Sequence, residues 1–500
     1  LWAIDPVTGV SFPNNTSIED DDREDIETKI IRMITRIMFI WFIKQKNLVP
    51  NRLFDPEYIH TILKDFDEES TTNGNYYNAI LQNLFFATLN RAIEDEEGNK
   101  RKFATASKRD IKTLYRYEEL FTISEQQVID MFAEVPFLNG GLFECLDKTK
   151  TIDGVEQAYN YDGFSRNDRT FADGRYRYRA IVPNTLFFDE KRGLFSILNK
   201  YNFTIEENTP EEQQVALDPE LLGKVFENLL GAYNPETKET ARNQSGSFYT
   251  PREIVQYMVD ESLIAHLKRT VGEDLEPQFR QLLQYSDEQV EFTDEQRKAI
   301  MQSLYNCKIL DPACGSGAFP MGLLNELLHC REVLSGDHYD RAEIKKSIIQ
   351  NNIYGVDIEK GAVDIARLRF WLSIVVDEET PSPLPNLDYK IMLGNSLIER
   401  FIGVDLSKLT YEKEYKKDKG EISLFDDEKN RLQKTVSHLL FSYYSCNDHN
   451  RKVKLQQEIS DTINKQLEAQ AYDPTILARL KDINLAENNK FFLWHTWFSD

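Results

Sequence analysis

The sequence predicts an α/β fold preceded by a mainly helical N-terminal region, and three observations support this prediction. From residue 306 onward, short apolar runs alternate with helical patterns, as in a parallel sheet whose strands are joined by helices. Before residue 205, helical periodicity dominates. The chain of 500 residues is long enough for two or more domains. We therefore place one domain at residues 1–205 and a second at 206–500, with a helical insertion at about 406–485.

The first predicted element is a buried helix at Ile26–Gln45, whose middle is apolar almost all round. Further helices are predicted at Tyr76–Ala92 and Ser124–Phe132. They are followed by a turn-rich connector with paired glycines at Pro136–Glu144. The most apolar early run, Ile37–Ile43, is far shorter than the ~20 residues that span a bilayer. No membrane association is expected, and the predicted compartment is the cytoplasm.

Composition excludes several classes of protein. The chain has 60 Lys and Arg against 83 Asp and Glu, a net charge of −23, which argues against coating nucleic acid by charge alone but allows a local basic groove. A hydrophobic content of 41% excludes global disorder. The five cysteines form no Cys-x-x-Cys pair and the seven histidines are scattered, so neither a disulfide scaffold nor a metal site is expected.

One segment of the first domain is rich in arginine. Residues 166–179 alternate arginines with aromatic residues, a pattern typical of a strand that carries guanidinium groups on one face. Such a strip could follow DNA phosphates, and an exposed strand with ordinary surface arginines fits the pattern equally well. The arginines of this strip are Arg166, Arg169, Arg175, Arg177 and Arg179.

The second domain begins with helical segments. Asp218–Leu230 has an amphipathic pattern with proline in its first turn, and residues 231–247 form a polar, turn-rich loop. The next helix is predicted to start with Thr250 as its cap and Pro251 at its first position.

Strands and helices then alternate. The sequence predicts a strand at Cys307–Leu310, a helix at Ala318–His329, a second strand at Asn352–Asp357, a second helix at Lys360–Val376 and a third strand at Tyr389–Leu393.

A glycine-containing turn, Asp311–Phe319, directly follows the first strand. Gly315 and Gly317 permit a tight turn and close approach of the backbone to a ligand. A dinucleotide fingerprint would need a third glycine where Pro320 stands, and a Walker loop would need Gly-Lys-Ser/Thr. The turn therefore favours a ligand without phosphates.

Two more residues follow the carboxyl ends of strands, where open α/β sheets bind ligands. Asp357 ends the second strand and is placed to accept both hydroxyls of a ribose, and Asn395 follows the third and can pair with an adenine edge. Together with the glycine turn, they predict a cofactor that has a sulfonium, an amino-acid tail, a ribose and an adenine.

Three motifs now carry a specific resemblance. Asp311–Gly317, Ser247–Pro251 and Gly394–Leu397 resemble the S-adenosylmethionine-binding half of a γ-class adenine-N6 DNA methyltransferase. The similarity is to the methyltransferases of type IIG restriction–modification polypeptides and to related phage-exclusion methyltransferases. It extends upstream through Asn208–Pro210, Asp218–Leu230, Phe137–Glu144 and Ile31–Lys46.

The resemblance implies a partial Rossmann-like, S-adenosylmethionine-dependent methyltransferase core. Its implied activity is methylation of a flipped adenine at a specific site in double-stranded DNA, within a bacterial restriction–modification defence system. Tyr249, Thr250 and Pro251 would touch the methionine end of the cofactor, and Asp311, Ala313, Gly315 and Gly317 would line it. Asp357 and Ile358 would hold the ribose and flank the adenine, whose edge would meet Asn395.

In the family, an Asn-Pro-Pro-aromatic motif after the fourth strand orients the target amino group. This sequence lacks the motif, since its one Asn-Pro, Asn234-Pro235, is followed by glutamate. No catalytic residue is therefore assigned. The family has a similar aromatic stretch just before the motif, and here Phe491–Asp500 ends the chain, although a plain core element would have the same composition. We expect a fragment that binds S-adenosylmethionine without methylating DNA. Target-recognition and any nuclease domains would lie in the same polypeptide, outside this chain.

Several alternatives remain open. Cys314 could be a nucleophile, but it lies inside the cofactor turn with no nearby base, which favours a packing role. Glu27-Thr28-Lys29 matches a short nuclease pattern but falls at a predicted helix start. Rival functions are a phage-exclusion methyltransferase without a nuclease, a cofactor-bound DNA-binding scaffold without activity, and a methyltransferase for protein glutamine or RNA.

Overall fold

A computed structural model of the chain describes residues 20–94, 98–105, 113–138, 141–143, 145, 148–152, 155–159, 182–201, 203, 250–284, 290–335, 340–378, 385–406, 424–469 and 473–498. The chain divides into two compact units. The first consists of Leu1–Ile205, Gln214–Asp218 and Glu379–Leu384, and the second of Glu206–Gln213, Pro219–Glu378 and Pro385–Asp500. Among the helices described, none has the length and apolar character needed to cross a membrane. The domain boundary at residues 205 and 206 stays a prediction.

The described part of the first unit is mainly helical. Its helices are α1 (Asp20–Lys44), α2 (Pro56–Ile62), α3 (Glu125–Met131), α4 (Thr185–Phe188) and α5 (Leu194–Leu198), with 3-10 turns at Asn51–Phe54, Glu118–Leu120 and Gly141–Phe143. An antiparallel hairpin joins β1 (Lys148–Ile152) and β2 (Val155–Tyr159). The predicted buried helix is confirmed as α1, where Phe39, Ile40 and Ile43 are completely buried. Residues 27–29 lie inside α1, as expected for a helical segment.

The predicted helix at Tyr76–Ala92 forms two π-helical segments, Tyr77–Leu81 and Asn83–Leu89. All of their side chains are buried. Asn83 satisfies its buried amide by accepting a hydrogen bond from the Arg116 N–H at 2.9 Å and donating to the Arg116 carbonyl at 2.9 Å. The predicted helix at Ser124–Phe132 is confirmed as α3, with Ser124 and Gln127 forming a capping box.

A three-stranded parallel sheet organises the second unit. Its strands are β3 (Ile309–Asp311), β4 (Ile353–Asp357) and β5 (Ile391–Leu393), in the order β3-β4-β5. Ile309 is opposite Ile353, and Gly355 is opposite Ile391. The predicted parallel α/β arrangement is therefore confirmed for these strands, although β3 and β5 begin two residues later than predicted.

Six described helices precede or alternate with these strands along the chain. They are α6 (Arg252–Thr270), α7 (Glu276–Leu282), α8 (Asp294–Asn306), α9 (Ala318–Ser335), α10 (Arg341–Asn351) and α11 (Lys360–Asp377), with a 3-10 turn at Glu273–Leu275. The predicted cap of α6 is wrong by one residue. Pro251, with an extended backbone at φ −55° and ψ 145°, is the cap, and its carbonyl accepts from the N–H groups of Ile254 and Val255. Thr250 therefore precedes the cap and makes no side-chain capping bond.

A short antiparallel pair, β6 (Arg400–Phe401) with β7 (Val404–Asp405), directly precedes the region predicted as a helical insertion. The described helices of this region are α12 (Leu424–Tyr444), α13 (His449–Glu468) and α14 (Pro474–Lys481). The last described helix of the chain is α15 (Trp494–Trp497). Val356 and Met392 of the sheet share a core with Val436, Ile459 and Phe492. The described part of this region is mainly helical, and the insertion and its place between two strands stay a prediction.

Candidate functional site

The glycine turn after β3 is tied to the neighbouring strand. Gly315 and Gly317 have φ of 53° and 87°, a backbone conformation that favours glycine. A Cβ on Gly317 would lie 3.0 Å from the Cβ of Ala366 in α11, so the turn also packs closely against that helix. The Cys314 N–H donates to the Val356 carbonyl at 3.0 Å. Both glycines are therefore required by the local geometry, as the sequence predicts.

Asp357 at the end of β4 holds this turn directly. Its Oδ2 accepts from the Gly315 N–H at 2.8 Å, and its Oδ1 accepts from the Glu359 N–H at 2.9 Å. Burial raises the pKa of Asp357, and these backbone hydrogen bonds oppose the rise. Each carboxylate oxygen keeps a lone pair with which it can accept a further hydrogen bond.

Asp311 at the end of β3 has one satisfied oxygen and one unsatisfied oxygen. Its Oδ1 accepts from the Ala313 N–H at 3.1 Å. Its Oδ2 is buried and has no hydrogen-bond partner within the described residues. Burial raises the pKa of Asp311, and the neighbouring charge of Asp357 raises it further. A buried acceptor without a donor is costly, which marks this oxygen as a place for a ligand donor.

Asn395 lies in the loop that follows β5. The preceding residue, Gly394, donates its N–H to the Asp357 carbonyl at 2.9 Å, which ties this loop to the end of β4. The Asn395 Oδ1 accepts from the Leu397 N–H at 3.2 Å, which fixes the oxygen side of the amide and leaves its nitrogen as the donor for a ligand. The structure thus brings the ends of β3, β4 and β5 together at one edge of the sheet, with Asp311, Asp357 and Asn395 on them.

Of the other predicted cofactor residues, Thr250, Pro251 and Ile358 lie in the described part of the chain, and Tyr249 does not. Thr250 and Pro251 precede α6, which packs along α9 so closely that a Cβ on Gly322 would lie 2.9 Å from Val255. Ile358, next to Asp357, is 40% exposed at the strand end. Tyr249 and the five arginines of the 166–179 strip lie outside the described residues, as do the predicted helix at Asp218–Leu230 and the loop at 231–247.

Sequence reasoning missed an aromatic clamp on the Asn395 loop. A Cβ on Gly394 would lie 2.4 Å from the Phe492 ring, so this ring packs directly on the glycine backbone. The Phe492 N–H donates to the Ile398 carbonyl at 2.9 Å, and the Trp494 indole donates to the Ser396 carbonyl at 3.1 Å. The aromatic run was visible in the sequence, but its contact with the strand-end loop was not.

Glu359 is the other residue that was missed. It follows the Asp357-Ile358 pair, and burial together with the charge of Asp357 raises its pKa. Three carboxylates, those of Asp311, Asp357 and Glu359, therefore share this strand edge. In the described residues, no group of three or more His, Cys, Asp or Glu side chains has an arrangement that could hold a metal ion.

Cys314 is buried within the turn. Burial raises its pKa well above the ordinary value, and the charges of Asp357 and Asp311 raise it further. A thiol in these surroundings stays protonated and is a poor nucleophile. Its sulfur packs near Gly355, where an added Cβ would lie 3.1 Å away. The packing role favoured by the sequence is supported.

Comparison with known proteins gives two matching family models. The model described as MmeI, DNA-methyltransferase domain, matches residues 287–380. The model described as Eco57I restriction-modification methylase matches residues 351–500. These two segments contain β3, β4 and β5 together with all the strand-end residues described above.

Two relatives were also found. The chain is 26% identical over 530 aligned residues to a putative type II restriction enzyme and methyltransferase, RM.MjaORFECS2P, of Methanocaldococcus jannaschii, covering 96% of this chain and 38% of that protein. It is 31% identical over 124 residues to the adenine-specific methyltransferase BrxX of Escherichia coli O9:H4, covering 24% of this chain and 10% of BrxX. The chain thus spans well under half the length of the relatives that it matches.

Among solved structures, the type IIL restriction–modification enzyme MmeI in complex with DNA aligns with a TM-score of 0.34 and 17% identity, covering 69% of this chain and 33% of that one. The family models and the sequence relatives confirm the resemblance to type II restriction–modification methyltransferases that the motifs predict.

Proposed function

We propose that this chain, which is similar to the type II restriction–modification methyltransferases, is the cofactor-binding part of a site-specific adenine-N6 DNA methyltransferase. In this proposal its parallel sheet is a partial Rossmann-like core that binds S-adenosylmethionine, and the methyl group goes to a flipped adenine in double-stranded DNA. The observation that carries the proposal is the meeting of Asp311, Asp357 and Asn395 at one strand edge around the glycine turn.

The residues at this edge fit the cofactor. The buried, unpartnered Oδ2 of Asp311 offers an acceptor for the ammonium of the methionine moiety. Asp357 is fixed by two backbone N–H groups and can accept from the ribose hydroxyls. The amide nitrogen of Asn395 can donate to the adenine edge, because its Oδ1 already accepts from the Leu397 N–H. The residues proposed to hold S-adenosylmethionine are Tyr249, Thr250, Pro251, Asp311, Ala313, Gly315, Gly317, Asp357, Ile358 and Asn395.

When bound, S-adenosylmethionine would supply an activated methyl group. The chain's own residues bind and orient it: the glycine turn lets the backbone approach, and the carboxylates fix its cationic and ribose ends. Positioning of this kind lowers the barrier for a direct transfer between two held reactants. We assign no residue of this chain to the transfer itself.

The proposed substrate rests on the relatives. One is named a restriction enzyme and methyltransferase, and the other an adenine-specific methyltransferase. Arg166, Arg169, Arg175, Arg177 and Arg179 are the proposed phosphate contacts on DNA. Target-recognition and nuclease domains are proposed in the same polypeptide, and an enzyme that acts on chromosomal DNA would work in the cytoplasm.

Calorimetric titration with S-adenosylmethionine tests the cofactor site. Asp357→Ala should weaken binding by about 1–3 kcal/mol, because two charge-assisted hydrogen bonds to the ribose are lost. Asp482→Ala removes an exposed carboxylate after α14 and should leave the dissociation constant unchanged. If the chain does not bind the cofactor, or if Asp357→Ala binds as tightly as the unchanged chain, the proposed site is wrong.

Sequencing of genomic DNA tests the reaction. A host without adenine methylation that carries the gene for the whole polypeptide proposed to contain this chain should acquire N6-methyladenine in one sequence motif, and that gene with Asp357→Ala should not produce it. Cofactor binding without a methylated motif would instead favour the non-catalytic DNA-binding scaffold. The second candidate is a phage-exclusion methyltransferase without a nuclease, and one relative, BrxX, is named as a methyltransferase alone. Protection of the host from phage without cleavage of unmodified DNA would distinguish it.

A further inference from the structure

A cavity lies at the opposite edge of the sheet from Asp311 and Asp357. Lys308 precedes β3, Asn351 precedes β4 and Lys390 precedes β5, so the cavity is at the amino ends of these strands. Its volume is about 90 Å³, several times the space that one water molecule requires. A planar ring could therefore enter without displacing the proposed cofactor, and the rest of a larger ligand would extend past the exposed side chain of Phe441.

The charge of this cavity favours an anion. The Nζ of Lys390 lies 4.0 Å from the centroid of the Tyr354 ring, and the Nζ of Lys308 lies 5.8 Å from the same centroid. The described residues that line the cavity include no Asp or Glu, in a chain whose net charge is −23. The neighbouring Asp388 accepts from the Tyr443 hydroxyl at 2.7 Å and pairs with Arg367 at 3.2 Å, so its charge is compensated outside the lining.

Two buried polar groups of the lining lack partners within the described chain. The side chain of Asn386 is 2% exposed, and its amide nitrogen donates to the carbonyls of Tyr443 at 2.6 Å and Cys446 at 2.9 Å. These two bonds fix the amide orientation and leave its Oδ1 as an unpartnered acceptor. Trp497 is 4% exposed, and its Nε1 is an unpartnered donor. A ligand that offers one donor and one acceptor would remove the cost of both.

The walls of the cavity are aromatic. The rings of Tyr389 and Trp497 stack with centroids 5.4 Å apart and an interplanar angle of 26°. Phe441 of α12 also lines the cavity and is 63% exposed. Flat aromatic surfaces beside lysines are a combination that binds a nucleobase and its phosphate.

We propose that this cavity binds a nucleoside phosphate. Lys308 and Lys390 contact the phosphate, the exposed ring of Phe441 contacts the face of the base, and the edge of the base pairs with the Asn386 Oδ1 and the Trp497 Nε1. The ligand is either a free nucleotide or one nucleotide of a single strand. The site is separate from the strand edge proposed for S-adenosylmethionine and does not depend on that proposal.

Calorimetric titration of the chain at low salt with AMP, adenosine and inorganic phosphate tests the proposal, with excess S-adenosylmethionine present so that the strand edge proposed for adenine and ribose is occupied. AMP should bind at least tenfold more tightly than either part alone. Lys308→Ala with Lys390→Ala should weaken AMP binding about tenfold and reduce its salt dependence, because both charges are removed. Trp497→Phe keeps a ring and loses the donor, and should weaken binding roughly three- to tenfold.

Two controls accompany these variants. Lys298→Ala removes an exposed lysine of α8 that does not line the cavity, and Asp357→Ala changes the other edge of the sheet; both should leave AMP binding unchanged. A single-stranded pentanucleotide distinguishes the source of the ligand. Competition with AMP indicates a nucleotide of a single strand, and no competition indicates a free nucleotide.

The proposal is overturned if AMP binds no more tightly than inorganic phosphate. It is also overturned if the two lysine substitutions leave AMP binding intact, or if Asp357→Ala abolishes it, since the nucleotide would then occupy another site. Circular dichroism checks that each variant is folded, and if Trp497→Phe is not, the lysine variant decides.

Discussion

At the scale of single residues, the strand edge contains carboxylates that are costly to bury. Burial raises the pKa of Asp311, Asp357 and Glu359 alike. The fold therefore holds negative charge where an uncharged surface would be more stable, a conflict that is typical of functional sites. Asp311 shows it most clearly, because its Oδ2 has no partner among the described residues.

Asp311→Asn should stabilise the fold and weaken cofactor binding. The pKa of Asp311 is higher in the folded chain than its ordinary 3.8. The protonated carboxyl therefore stabilises the fold fully below pH 3.8, and this stabilisation is lost as pH rises through the pKa of the folded chain. At pH 7 the charged form destabilises the fold, and asparagine removes that charge. We expect the melting temperature to rise by roughly 2–4 °C, as for about 1 kcal/mol in a domain of this size.

Thermal unfolding between pH 4 and pH 8 measures this effect. The difference between Asp311→Asn and the unchanged chain should shrink as pH falls through the raised pKa. Affinity for S-adenosylmethionine should fall about tenfold, since the amide cannot accept from the ammonium as a carboxylate does. A variant that is less stable at pH 7 would contradict the burial argument.

Cys314→Ala should keep cofactor binding within about threefold, because the buried thiol contributes packing. Its cost should be a modest loss of stability, about 1 kcal/mol for one small buried group. Cys330→Ala, another completely buried cysteine in α9, is the matched control. Loss of methyl transfer by the encoded enzyme with retained cofactor binding would indicate a chemical role for Cys314.

At the scale of elements, the sequence predicted what depends on local pattern. The apolar runs located β3, β4 and β5 to within two residues. The glycine turn was identified because Gly315 and Gly317 permit a tight turn, and both have positive φ in the structure. Long-range contacts were not accessible in this way. No periodicity shows that Phe492 packs on Gly394, almost a hundred positions earlier in the chain, or that Trp494 bonds to Ser396. The one-residue error at Thr250 reflects how little sequence distinguishes a cap from its neighbour.

Gly394→Ala tests the aromatic clamp. The added Cβ would lie 2.4 Å from the Phe492 ring and so displace the ring or the Asn395 loop. We expect a loss of about 1–3 kcal/mol in the free energy of unfolding, the usual cost of overpacking, together with weaker cofactor binding.

Chemical denaturation and titration measure both effects. Gly394→Ala combined with Phe492→Ala should be less destabilised than the sum of the two single changes, because residues in contact are not additive. Gly403→Ala also adds a methyl group where no atom lies within 4 Å, so its loss of stability measures the strain of a side chain at positive φ without any overpacking. Strict additivity would show that the ring and the glycine do not interact.

At the scale of the whole molecule, charge is distributed unevenly. A net charge of −23 repels DNA in general, so binding must depend on local groups. The sequence predicts such a group in the 166–179 strip, where five arginines alternate with aromatic residues. That strip lies outside the described residues, and its role therefore rests on composition and on the proposed function.

Replacing Arg175, Arg177 and Arg179 together with alanine measures the contribution of this strip to DNA binding. For every phosphate that an arginine no longer neutralises, the slope of log affinity against log salt concentration should become shallower by about 0.9. The triple variant should therefore bind duplex DNA more weakly at low salt, by a similar factor for every sequence, and converge with the unchanged chain at high salt. Fluorescence anisotropy across a salt series gives both quantities.

Lys298→Ala with Lys434→Ala removes exposed cations elsewhere and should leave the slope unchanged. An unaltered slope in the triple variant would show that the strip is an ordinary exposed strand, and the DNA contacts would then have to come from other residues.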